Sequence, residues 1–178
     1  MKIKYLREIS IEVFGSIISA ILISLSFFLI SDFLFEPPNL NGKWFIVTQT
    51  DESSLKRYIG MKLVYEIMLF QEKDNIYGTA EKISEIVGNK KNDYDHVERV
   101  KVDFKGTINR KYFSKDVLYL HWKEQGRRRE TSSYFEIKRF DNNHMFGFFN
   151  STAAESNGKS EWVRDIKQLK DLSILLPE

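Results

Sequence analysis

No charged residue occurs between Val13 and Ser31, and Phe33, Leu34 and Phe35 carry the apolar run past Asp32. As a helix rising ~1.5 Å per residue, this stretch reaches about 28 Å, close to the hydrocarbon thickness of a bilayer. Its apolarity covers every face, whereas a helix lying on a protein core is apolar along one stripe. The run is long for the hydrophobic part of a cleaved signal, and no small-residue cleavage site follows it. Glu36-Pro37-Pro38 reads instead as a stiff exit. The segment is therefore expected to be one transmembrane helix. It divides the chain into a tail and helix (1–36), a linker (37–41) and a folded domain (42–178).

Lys2, Lys4 and Arg7 precede the helix and only Lys43 lies close behind it. By the positive-inside rule this charge bias places the folded domain outside the cytoplasm. Within the helix, Ser16, Ala20 and Ser24 recur at four-residue spacing, with Gly15 and Ser19 on the neighbouring face. Small side chains in that pattern let helices approach closely in lipid, so a homo-oligomer through the helix is expected.

Beyond Pro38 the pattern changes to period-two alternation. Val100, Val102, Phe104, Gly106 and Ile108 share one face against Arg99, Lys101, Asp103, Lys105 and Thr107; Leu118, Leu120 and Trp122 repeat the pattern. Eight strands are predicted, at 42–50, 60–72, 75–86, 97–110, 115–124, 130–140, 144–151 and 158–166. Turn residues separate them, such as Lys73-Asp74-Asn75 and Ser156-Asn157-Gly158. The links are of hairpin length, so the expected fold is all-β: an eight-stranded antiparallel up-and-down barrel, which leaves no exposed sheet edge. Gly78, Gly106 and Gly147 suit the bends that closure needs. Ile166, Leu169, Leu172 and Leu176 have helical spacing and predict a short C-terminal helix.

That topology gathers the longer links (51–59, 87–96, 125–129 and 151–157) at one rim, where binding is expected. The shorter turns lie at the other rim with Lys73, Arg110, Lys111, Lys115 and Arg139, a group suited to anionic headgroups. Signs of catalysis are few. His96, His121 and His144 lie in separate segments without metal-ligand spacing, and no nucleophile elbow or phosphate-binding glycine loop is present. Asp93, Asp95 and His96 read as part of a solvated loop. The 178 residues contain no cysteine, which excludes disulfides and thiolate metal sites, and carry a net charge of +2, which argues against DNA or RNA as a partner. A binding protein is expected, not an enzyme, with no cofactor and no metal.

The rim of the longer links, away from the membrane, holds Lys56, Arg57 and Tyr58, Lys90 and Lys91, Arg127, Arg128 and Arg129, and Lys159. Hydroxyls accompany them at Thr48, Thr50, Ser53, Ser54, Thr131 and Ser132. Arginine forks and hydroxyls suit phosphates, and Trp44, Trp122, Tyr134 and Trp162 offer rings that bases could stack on. From this set Arg57, Tyr58, Trp122, Arg127, Arg128 and Thr131 are the candidate ligand-binding residues.

An apolar helix and a proline-bearing linker lead into Asn39-Leu40-Asn41-Gly42-Lys43-Trp44. The closing segments are Gly147-Phe148-Phe149-Asn150-Ser151 and Gly158-Lys159-Ser160-Glu161-Trp162-Val163-Arg164. This layout resembles the membrane-anchored β-barrel effectors of bacterial cyclic-oligonucleotide anti-phage defence. Gly-x-Trp also opens lipocalin- and avidin-like barrels. The resemblance implies that the barrel binds a cyclic di- or trinucleotide made by a partner synthase. Binding would control assembly of the membrane segments and disruption of the inner membrane. Asn150 and Arg164, in the closing segments, complete the candidate set. The family usually has two transmembrane helices, which return its barrel to the cytoplasm; Ile9–Phe35 is about 40 Å long as a helix, enough for one tilted span. The resemblance thus implies a cytoplasmic barrel, against the charge bias. Taken at face value, that bias implies an extracytoplasmic lipocalin-like barrel for an apolar or peptide ligand, or an envelope scaffold.

Overall fold

The computed structural model describes residues 2–34, 39–111, 115–126, 129–139 and 143–170. The chain divides into two compact units, Met1–Glu36 and Pro37–Glu178. The first is a single helix, α1 (Lys2–Leu34), in which every side chain from Val13 to Ile30 is exposed. By length and composition this segment is able to cross a membrane. A shallow groove over Ala20 and Ser24, flanked by Ile17, Ile21, Leu25 and Phe28, marks the small-residue face.

The second unit is a closed antiparallel barrel of eight strands: β1 (Gly42–Glu52), β2 (Lys62–Glu72), β3 (Asn75–Val87), β5 (Val100–Asn109), β6 (Val117–Gln125), β7 (Glu130–Arg139), β8 (His144–Ser151) and β9 (Ser156–Val163). Neighbours in sequence pair around the wall, and β9 returns to β1 with Ile46 opposite Trp162. A short helix, α2 (Ile166–Lys170), follows the last strand; Leu172 and Leu176 lie outside the described residues. One strand was not expected. β4 (Lys90–Asp93) pairs with the far end of β3 inside the stretch read as a polar loop, on the side away from β2, so it continues the wall beyond the start of the next strand. Asp93 lies on β4, paired with Lys91 at 3.0 Å.

The inward-facing residues change character along the barrel axis. On β1 they run Trp44, Ile46, Thr48, Thr50, and on β7 they run Ile137, Phe135, Ser133, Thr131. β6 runs from Leu118, Leu120 and Trp122 to Glu124, while on β3 Ala80 gives way to Lys82. At the end where the chain enters β1, apolar side chains interlock into a core that includes Trp44, Ile67, Leu69, Leu120, Ile137 and Trp162. Toward the other end the residues become polar or charged, and packing stops. A barrel of eight strands is just wide enough for side chains to fill. This one is filled for part of its height and open above.

The filled end is sealed by Leu40, which is 2% exposed, and by Arg164. The Arg164 guanidinium lies 4.1 Å from the Trp44 ring centre and donates to the carbonyls of Asn41 (2.7 Å) and Asn39 (3.2 Å). Trp44 Nε1 in turn donates to the Leu40 carbonyl at 2.9 Å. Gly42 adopts φ +108°, a conformation that L side chains rarely take, as the chain bends from this seal into β1. Gly147 serves the closure itself: a Cβ there would lie 2.0 Å from the Glu136 carbonyl oxygen on β7. Phe45, Val47, Val64 and Val163 form a second, smaller cluster on the outward side, with Ile83 packed on it.

Candidate ligand-binding site

The open end of the barrel encloses a cavity of about 900 Å³, near the upper end of the range for small-molecule pockets. Its floor is aromatic. Trp122 is stacked on Phe104 (5.5 Å, 13°) and meets Tyr65 edge-on at 5.1 Å, and Phe135 and Phe149 continue the surface.

One wall is a polar strut across the lumen. The Tyr65 hydroxyl on β2 donates to Glu124 Oε2 on β6 at 3.0 Å, and Lys82 Nζ on β3 lies 3.2 Å from Glu124 Oε1. The Lys82 and Glu124 side chains are only 13% and 16% exposed, so neither charge is well hydrated and each depends on the other. Burial, and then the Glu124 carboxylate, push the Tyr65 hydroxyl well above the ordinary tyrosine range, which keeps it a donor. Lys82 Nζ also lies 5.5 Å from the Tyr94 ring centre. A bulge sets this wall. In the β2–β3 register Val64 faces Ser84 and Tyr65 faces Lys82, so Ile83 is the extra residue and the inward parity of β3 switches. Beyond it Glu85, not an even-numbered neighbour, lines the cavity.

The opposite wall is rich in hydroxyls, with Thr48 and Thr50 from β1, Thr131 and Ser133 from β7, and Ser151 from β8. Ser133 Oγ donates to Ser151 Oγ at 2.8 Å. The link between β1 and β2, with its 3₁₀ turn at Lys56–Tyr58, rises over the mouth. It is pinned there because the Ser53 and Ser54 hydroxyls donate to the Ala154 carbonyl at 3.0 and 2.8 Å. Ala154 and Glu155 hold positive φ (55° and 47°) in the tight β8–β9 turn.

Of the candidates named from the sequence, Arg57, Tyr58, Trp122 and Thr131 line this cavity together. Arg57 Nη2 donates to the Tyr58 hydroxyl at 3.0 Å. Arg127 and Arg128 lie outside the described residues; their neighbour Arg129 lines the mouth. Two candidates are corrected. Asn150 is exposed on the outer wall, because the inward positions of β8 are Met145, Gly147, Phe149 and Ser151. Arg164 follows β9 at the opposite end, where it caps the core, and burial lowers the pKa of its guanidinium. Trp44 and Trp162 are wholly buried and Tyr134 faces outward, so none of these three rings is available in the lumen. The mouth is also not simply basic. Among the described residues lining it, Arg57, Lys82 and Arg129 are matched by Glu85, Glu124 and Glu155. Continuing the Leu118–Leu120–Trp122 alternation by one step finds Glu124; no local pattern discloses Glu85 or Glu155.

No protein-family model and no curated protein matches the chain. Among solved structures it is similar to a redesigned beta barrel, with a TM-score of 0.51 and 8% identity over 71% of this chain and 91% of that one. Another similar structure is the redesigned beta barrel mFAP1 bound to DFHBI, with a TM-score of 0.49, 8% identity, and coverage of 71% and 94%. At these identities the likeness concerns the fold.

Proposed function

We propose that this chain is a membrane-anchored receptor. In this reading α1 crosses the inner membrane once, and the barrel binds a cyclic di- or trinucleotide from a partner synthase on the cytoplasmic side. Occupancy controls self-association of the helices, and through it the integrity of the membrane during phage infection. The observation that carries the reading is the half-filled barrel. A closely packed aromatic floor gives a base an apolar surface to rest on, hydroxyls surround it, and Arg57 and Arg129 stand at the rim where phosphates would remain. The groove over Ala20 and Ser24 supports association of helices in lipid.

Titration calorimetry of the full chain in nanodiscs with a panel of cyclic di- and trinucleotides tests the ligand. At least one is expected to bind, and Arg57→Ala combined with Arg129→Ala is expected to weaken it by about 1–3 kcal/mol. A folded barrel that binds none of the panel would end the nucleotide reading.

A second reading rests on the balanced charge of the mouth. Equal numbers of basic and acidic groups among the described lining residues suit an uncharged, amphipathic ligand, in a barrel held outside the cytoplasm as the flanking charges favour. Displacement of an environment-sensitive dye by such a ligand, with no response to any nucleotide, would select it.

A further inference from the structure

Thr48 and Thr50 stand at successive inward positions of β1, directly above Ile46. They are 4% and 2% exposed and line the cavity, yet neither hydroxyl has a hydrogen-bond partner among the described residues. Valine has nearly the same shape and would continue the apolar lining at no cost in unpaired hydroxyls. Their hydroxyl oxygens are reached from the cavity, so whatever fills it, water or a ligand, supplies their partners, and a ligand with polar groups at this depth gains two ready hydrogen-bonding sites.

On the strut side, Glu124 is held from two directions, by the Tyr65 hydroxyl on one oxygen and the Lys82 ammonium on the other. A carboxylate oxygen accepts up to two hydrogen bonds, so each keeps capacity for one more donor, and Glu124 lines the cavity. The two oxygens are fixed side by side, the geometry that suits a pair of adjacent N–H groups. Among the described residues, the cations at the outer end of the cavity are Arg57 and Arg129.

We propose that the ligand enters with a hydrogen-bonding ring edge leading. That edge is held between the Thr48 and Thr50 hydroxyls and the Glu124 carboxylate, and the anionic part stays at the rim. The inference rests on the nucleotide reading and gives it a selectivity. A guanine edge presents two adjacent N–H donors beside a carbonyl, whereas an adenine edge presents one amino group beside an acceptor nitrogen. A carboxylate accepts both donors of the first and meets an acceptor in the second. The site therefore selects guanine over adenine, with Glu124 as the specificity-determining residue and the Thr48 and Thr50 hydroxyls, which both donate and accept, holding either base.

Cyclic di-GMP and cyclic di-AMP, titrated into the full chain in nanodiscs, test this. The guanine ligand should bind roughly tenfold tighter or more. Glu124→Gln keeps the side-chain size and an acceptor for Tyr65, and it should erase the difference. Thr48→Val combined with Thr50→Val should weaken both ligands about tenfold with no fall in melting temperature. Equal binding of the two ligands by the wild type would overturn the inference and leave the nucleotide reading standing, as would a preference that survives Glu124→Gln or full affinity in the double valine variant. Binding of neither ligand would overturn the selectivity, and only silence across the wider nucleotide panel would overturn the reading beneath it. If Glu124→Gln fails to fold, Glu124→Asp, which keeps the carboxylate but draws it back from the lumen, should shrink the guanine preference, and an undiminished preference in that variant would overturn the role of Glu124.

Discussion

Burial and the nearby Glu124 carboxylate raise the Tyr65 hydroxyl well above the ordinary tyrosine range, and this has a consequence for stability. Below about pH 10, folded and unfolded chains both keep the proton and the contribution is fully present. Above it the unfolded chain ionises while the folded barrel does not, so stability falls as pH climbs from there through the folded value. Tyr65→Phe removes this dependence. At neutral pH the variant should lose about 1–3 kcal/mol, because Glu124 Oε2 loses its donor at 3.0 Å. Its further decline between roughly pH 10 and 11 should be shallower than that of the wild type. Tyr134, whose pKa is also raised, stays in both proteins and cancels in the comparison. Thermal melts followed by near-ultraviolet dichroism at stepped pH supply the measurement, and parallel declines would show that the hydroxyl is not held protonated.

The seal at the filled end joins elements distant in sequence: Arg164 ties the end of β9 to the segment before β1. Arg164→Lys keeps the charge but loses the planar fork that both stacks on Trp44 and donates to two carbonyls. It should lower stability by about 1–3 kcal/mol. Ligand affinity should be unchanged, because the mouth is at the opposite end; a melt and a titration on the same sample separate the two effects. At this scale the sequence discloses most of the barrel. The eight strands of the wall follow from period-two alternation such as Val102–Phe104–Ile108, and the change from Ile46 to Thr48 and Thr50 is visible in the letters. Three features escape it for physical reasons. The four residues of β4 are all exposed and carry no alternation, so this strand exists only through its pairing with β3. The bulge at Ile83 is a property of the β2–β3 register, and without it Glu85 reads as an outward residue. Arg164 has the composition of a phosphate ligand, and only the direction of β9 places it at the sealed end. The hydroxyls and Arg57 of the mouth are legible in the sequence and Glu124 follows from the β6 alternation, whereas Glu85 depends on register and Glu155 on the positive-φ turn between β8 and β9.

For the molecule as a whole, the flanking charges and the ligand proposed for the barrel point to opposite sides of the membrane. Lys2, Lys4 and Arg7 favour a cytoplasmic N-terminus, which for a single span sends the barrel out. A receptor for a nucleotide made in the cytoplasm needs its barrel inside. Three basic residues offset by Glu8 and Glu12 make a modest bias, and a folded domain that closes before insertion is complete would resist translocation. The absence of cysteine makes the question direct, because one introduced thiol is the only thiol in the chain. Lys101, exposed on β5, is a suitable place for it. With Lys101→Cys, a membrane-impermeant maleimide should leave the protein unlabelled in intact spheroplasts and label it in inverted inner-membrane vesicles. The reverse pattern would put the cavity out of reach of any cytoplasmic synthase. The same barrel, with its Thr48–Thr50 wall and Glu124 strut, would then have to serve a polar ligand arriving from outside the cell membrane.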